Sequence, residues 1–186
     1  NAHLSGFVDS GEAFFFIALI HALRFNRWRL LPLLSILGVL TKQTYLPFSL
    51  LFTMVWFAML EKKEKNFFKF GWILAMGLSG LFSYLVLQSL ILGKMIWPWS
   101  LDFPRLPFEG FWSRAFRCVA NRGFWYVFIW LLPLGLFRLK YFPKPWVSAS
   151  LATALMVFVL GPYAGKEPNT TRPLFNVIGS LLSLSA

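Results

Sequence analysis

Residues 30–65 read LLPLLSILGVLTKQTYLPFSLLFTMVWFAMLEKKEK, and Lys42 is the only charged residue in this stretch before Glu61. Two apolar runs, Leu30–Leu40 and Tyr45–Leu60, flank the polar step Thr41-Lys42-Gln43-Thr44. A helix needs about 20 apolar residues to cross the hydrocarbon core of a bilayer, with a range of about 17–25. Both runs are short by that measure. A lysine between them, with Pro47 soon after, predicts a helix break, because proline removes an amide donor and bends a helix. Glu61-Lys62-Lys63-Glu64-Lys65 then ends the second run.

Working outward, the same alternation of apolar run and polar punctuation continues. Upstream, a first run from about Glu12 to Leu23, starting near Val8, is closed by Arg24, Arg27 and Arg29. Downstream lie Phe67–Leu92, Phe124–Phe137, Val147–Leu160 and a run opening at Pro173. The pattern predicts an all-helical polytopic transmembrane bundle of about six or seven spans, since helices satisfy every backbone polar group within lipid. Short spans fit tilted or re-entrant pieces. Residues 1–186 are expected to form one transmembrane domain. The chain begins at Asn1 and stops inside the apolar run Ser180–Ala186, so a fragment of a longer protein is the expected status.

Composition points the same way. Hydrophobic residues make up 58% of the chain and charged residues 13%. A soluble domain has about 45–50% apolar and about 25% charged residues. Too few polar side chains remain to cover a water-facing surface, which argues against an ordinary soluble enzyme and a disordered chain. The net charge of +11 would suggest nucleic acid in a soluble protein. Here the basic residues cluster between apolar runs, where membrane topology accounts for them, so membrane lipids and not nucleic acid are the expected partners. One cysteine, Cys118, allows neither an intramolecular disulfide nor a cysteine-built metal site.

The loops at 24–29, 61–69 and 138–144 hold three, four and three basic residues; the N-terminal segment, the 41–44 break, the 93–122 loop and the 162–172 loop hold none, one, five and two, so the short loops, to which the positive-inside rule applies best, give 10 against 3. The rule therefore places the N-terminal end on the extracytoplasmic side. The 93–122 loop falls on that side too. Its Trp97, Trp99, Phe103 and Phe108 suit the headgroup layer. Phe108, Phe111, Trp112, Ala115, Phe116 and Val119 recur at helical spacing and predict an amphipathic helix lying in the interface.

Charges near the hydrocarbon region are costly and mark candidate sites. Asp9 and Glu12 lie three apart, so a helical turn sets them on one face, where they could contact a sugar or a cation. Helix capping explains the same residue types, with Asp9 or Ser10 at the cap and Glu12 at the positive end. A divalent cation is the one cofactor these residues could take, with His3 joining Asp9. Lys42 could meet a lipid phosphate, or snorkel from a tight hairpin. Lys166 and Arg172 precede the run opening at Pro173, where free amide donors favour a phosphate, or they belong to a polar turn with an interfacial arginine. His21 lies within the first run and could ligate haem iron or chlorophyll magnesium, or sit buried and hydrogen-bonded. Ala75, Ser79 and Ser83, with Gly77 and Gly80 nearby, predict close helix packing.

Gly6-Phe7-Val8-Asp9 leading into Ala13-Phe14-Phe15-Phe16, then a basic turn, then Gly38-Val39-Leu40-Thr41-Lys42-Gln43-Thr44, resembles the middle of C-type (GT-C) membrane glycosyltransferases. That resemblance covers about residues 6–60. It implies transfer of a sugar from a polyprenyl-phosphate donor on the extracytoplasmic side, with Lys42 near the lipid-phosphate cavity; Arg172, in a late outer loop, matches by position only, and Lys166 joins the expected phosphate site from the residue reading above. The family's catalytic acid lies in an outer loop upstream of the matched stretch, so no catalytic residue is assigned here. The alternative expectation is a non-catalytic accessory subunit that packs against other membrane subunits.

Overall fold

The structure is a computed structural model that describes residues 2–93, 112–113 and 141–164, with side chains at 10–91, 93, 112–113 and 141–156. Among the described residues every regular element is a helix. They are α1 (Ala2–Arg24), α2 (Leu31–Thr41), α3 (Tyr45–Ala58), α4 (Phe67–Leu92) and α5 (Lys144–Ala164), with single 3-10 turns at Trp28–Leu30 and Lys62–Glu64. The all-helical class stands.

The helix ends follow local chemistry. Asn66 caps α4, its side chain accepting from the Phe68 amide at 3.2 Å, and Gly93 closes it in the left-handed region at φ 64°. Pro145 sits in the first turn of α5, where a missing amide donor costs nothing. That lets α5 start at Lys144, three residues before the expected run. It also continues through Gly161-Pro162 to Ala164, past the expected end at Leu160.

The chain runs up and down. Glu12 of α1 meets Lys42 and Thr44 at one end, and Arg24 stacks on Trp146 at the other. Phe57 at the close of α3 meets Trp28 and Phe70, whereas Tyr45 at its start packs on Gly38. Hence α2 and α3 form an antiparallel hairpin turning at Lys42-Gln43-Thr44. The hairpin lies against α4, with Ser79 Oγ donating to the Pro32 carbonyl at 3.2 Å. A methyl on Gly80 would collide with Ser35 and Leu46, and one on Gly38 with the Tyr45 ring, so both contacts need a bare α-carbon. Edge-on rings tie α1 to α3, Phe16 to Phe52 at 5.2 Å, and Trp56 carries the stack to Trp146 of α5 at 6.5 Å. Each such pair adds about 0.5–1.5 kcal/mol beyond the area it buries.

The interior of the bundle is mainly apolar, with several small polar side chains among the aromatic and aliphatic ones. Ser35, Ser49, Thr53, Ser83, Ser150 and Thr153 are buried. Thr53, Ser83 and Thr153 bond back to carbonyls four residues earlier on their own helices, which satisfies them without a partner helix. Meanwhile Leu74, Leu78, Phe82, Val86 and Leu90 form an exposed row along α4, with Phe82 69% exposed.

Six or seven spans go beyond what the described residues deliver. Among them one helix, Phe67–Ile91, is long and apolar enough to cross a membrane. α2 and α3 have 11 and 14 residues because the Lys42–Thr44 turn divides an otherwise continuous apolar run. The expected runs at 124–137 and from Pro173 lie outside the described residues. So does most of the 93–122 loop, of which Trp112 and Ser113 are helical and exposed.

Candidate functional site

The break at residues 42–44 is built by a change of backbone state. Lys42 adopts an extended conformation at φ −158°, its amide donating to the Gly38 carbonyl, and Tyr45 restarts the helix by donating to the Lys42 carbonyl at 3.0 Å. The Thr41 hydroxyl folds back onto the Gly38 carbonyl at 2.7 Å. This three-residue turn presents Lys42 towards α1. There its ammonium lies 2.7 Å from the carboxylate of Glu12, and the Thr44 hydroxyl donates to the other oxygen at 2.9 Å. The Glu12 side chain is 3% exposed and that of Lys42 21%. Thr41 packs on Gly11 one residue before Glu12, which brings α1 close enough for the pair to form.

The pair sits below the helix ends around it. At about 1.5 Å per residue, α2 rises about 10 Å from Ser35 to Lys42, while α4 rises about 18 Å from Gly80 to Leu92. Ser35 and Gly80 touch, so the hairpin apex stops roughly 8 Å short of the end of α4 for near-parallel axes. α1 likewise continues about 15 Å above Glu12 to Ala2. An ion pair at such depth, among apolar faces, is expensive to bury unless each charge is compensated. Here the carboxylate has two donors.

Several expected residues fall differently. α1 begins at Ala2, so Asp9, Ser10 and Glu12 lie inside the helix, and the capping explanation fails because the helix starts seven to ten residues upstream. Asp9 has a described backbone only. Lys166 and Arg172 lie outside the described residues, so of the three expected phosphate cations the structure positions Lys42. A divalent cation at Glu12 would have to displace the Lys42 ammonium. No group of three potential metal ligands occurs among the described residues. His21 is exposed and stacks on Phe25 at 4.4 Å, in place of the buried setting expected.

Sequence reasoning missed the pairing of Glu12 with Lys42 and the role of Thr44. A signal was present. Glu12 precedes Arg24 by twelve residues and Lys42 follows Arg29 by thirteen, so two antiparallel helices leaving one basic turn carry them to the same height.

At the opposite end the basic loops converge. One cavity of about 530 Å³ is lined by residues that include Arg24, Glu61, Glu64, Lys69 and Lys144; another of about 390 Å³ by Asn26, Arg27, Trp28, Arg29, Leu30, Phe68, Lys69 and Trp72. Neither is lined by Glu12 or Lys42. Comparison with protein-family models, with curated proteins and with solved structures finds no match.

Proposed function

We propose that this chain belongs to an integral, multi-pass membrane protein that handles a polyprenyl-phosphate sugar at its Glu12–Lys42 end, on the extracytoplasmic side. The observation that carries the reading is the recessed ion pair, held below the ends of α1 and α4 in a bundle whose outer faces are apolar. Ionisable residues at membrane depth are rare and mark functional sites by default. The resemblance of residues 6–60 to C-type membrane glycosyltransferases supplies the substrate class.

In this reading the Lys42 ammonium, a compact charge with three donors, is shared between Glu12 and an entering lipid phosphate. As the sugar leaves, negative charge grows on the phosphate, and Lys42 stabilises it. Glu12 and Thr44 hold the ammonium in place beforehand. Lys166 and Arg172 add positive charge from the later outer segment. The transfer breaks the bond between the anomeric carbon and the phosphate oxygen and forms one to the acceptor oxygen. The base that takes the acceptor's proton is assigned to no residue of this chain.

A second reading has its own observation. Glu12 offsets the charge of Lys42, and the pair joins α1 to the hairpin apex, as a structural lock in an accessory subunit would. Sugar transfer from a polyprenyl-phosphate donor, measured in membranes holding the full-length protein, separates the two. Lys42→Ala, Arg172→Ala and the neutral pair Glu12→Gln with Lys42→Met are the variants. The glycosyltransferase reading expects all three to lose activity while remaining folded. Full activity in the neutral-pair variant leaves only the structural lock.

A further inference from the structure

The turn between α1 and α2 is built to hold a tryptophan. Asn26 takes the left-handed conformation at φ 57°, which an asparagine tolerates better than most residues. The Arg27 amide then reaches back to the Ala22 carbonyl at 2.7 Å, ending α1. The Asn26 side-chain oxygen accepts from Trp28 Nε1 at 2.7 Å and fixes the buried indole. The Lys69 ammonium of α4 lies 5.4 Å from the centre of that ring, within cation–π range.

Arg27, Arg29 and Lys69 thus converge on the 390 Å³ cavity, and no carboxylate lines it. No ion pair joins any of the three to an acid among the described residues. Above the cavity, Leu33, Leu37 and Leu40 follow Leu30 along the outward face of α2, and all four are exposed. Their three- and four-residue spacing makes one continuous apolar ridge. Positive charge with an indole at the base, and an aliphatic ridge about 15 Å long above it, match an amphiphile with an anionic head.

We propose that this cavity binds the phosphate headgroup of an anionic phospholipid, with one acyl chain lying along the α2 ridge, on the face opposite the Glu12–Lys42 pair. The inference rests on the membrane reading but not on sugar transfer. A lipid is favoured over a free phosphate by the ridge, which a soluble anion would leave unused.

The test reconstitutes the full-length protein in vesicles of equimolar phosphatidylglycerol and phosphatidylcholine and reads retained lipid by native mass spectrometry. The wild type is expected to retain phosphatidylglycerol preferentially. The variant Arg27→Gln, Arg29→Gln, Lys69→Gln is expected to lose that preference by at least about fivefold, since each basic residue near an anionic surface contributes about that factor. The variant Lys62→Gln, Lys63→Gln, Lys65→Gln removes as much charge from the same end, outside the cavity lining, and is expected to keep it. Equal loss in both variants, or no preference in the wild type, overturns the cavity. Displacement of the lipid by inorganic phosphate makes the ligand a free anion and overturns the lipid. Protein that fails to enter vesicles overturns the membrane reading with it, whereas protein that enters without preference overturns this inference alone.

Discussion

The two ends of the bundle hold their charges in opposite ways. At the hairpin apex a partly exposed lysine faces a buried glutamate, with a threonine completing the carboxylate. At the other end Arg27, Arg29 and the lysines at 62–69 stand in numbers, mostly exposed, with one surface ion pair between Lys63 and Glu61 at 2.8 Å. Depth explains the difference. A charge surrounded by apolar helices persists only when a partner neutralises it. A charge at a helix end keeps its water and can wait for an anion. The same residue type, lysine, is a paired internal element in one place and a mostly solvated surface charge in the other.

Removing one partner at the apex should break that contrast most sharply. Lys42→Ala leaves Glu12 buried with the Thr44 donor and without its counter-charge. The cost should be about 2–3 kcal/mol, below the 3–5 kcal/mol of a fully buried pair, because Lys42 is partly exposed. Denaturant titration in detergent micelles measures it. The neutral pair Glu12→Gln with Lys42→Met should recover most of the loss; equal destabilisation by single and double variants would mean that packing, not charge, holds α1 to the hairpin.

An intermediate effect belongs to the turn that organises the basic end. Asn26→Ala removes the acceptor of Trp28 Nε1 and forces alanine into a left-handed conformation. A loss of about 1–2 kcal/mol is expected. Asn26→Gly keeps the backbone and should lose less, which separates strain from the hydrogen bond. The smallest effect is expected at Lys63→Gln. Its ion pair with Glu61 is exposed on both sides, and the change should stay within about 0.5 kcal/mol. A large loss there would erase the distinction between the two ends.

Local chemistry was legible in the sequence, and distance in the chain set the limit. The break at Lys42-Gln43-Thr44 and the ends near Arg24 and Leu92 follow from polar punctuation of apolar runs, which needs no partner to be seen. The small-residue face of α4 was readable for the same reason, since spacing alone puts Ser79 and Gly80 where α2 and α3 approach. Two things were hidden. The start of α1 moved up to Ala2 because neither Gly6 nor Gly11 stops the helix, though each lowers its propensity. The Glu12–Lys42 bond joins residues thirty apart, and it becomes visible only once the chain is known to fold back at the basic turn.

In the proposed membrane reading the two ends lie on opposite faces of a bilayer. Cysteine labelling tests it most directly. In a Cys118→Ser background of the full-length protein, Gln43→Cys marks the apex and Lys63→Cys the basic end, both at exposed positions. Right-side-out membrane vesicles are treated with a membrane-impermeant maleimide before and after permeabilisation. Labelling of residue 43 in intact vesicles, with residue 63 labelled only after permeabilisation, is the predicted result. Labelling of both residues in intact vesicles, or recovery of the protein in the soluble fraction, would contradict it.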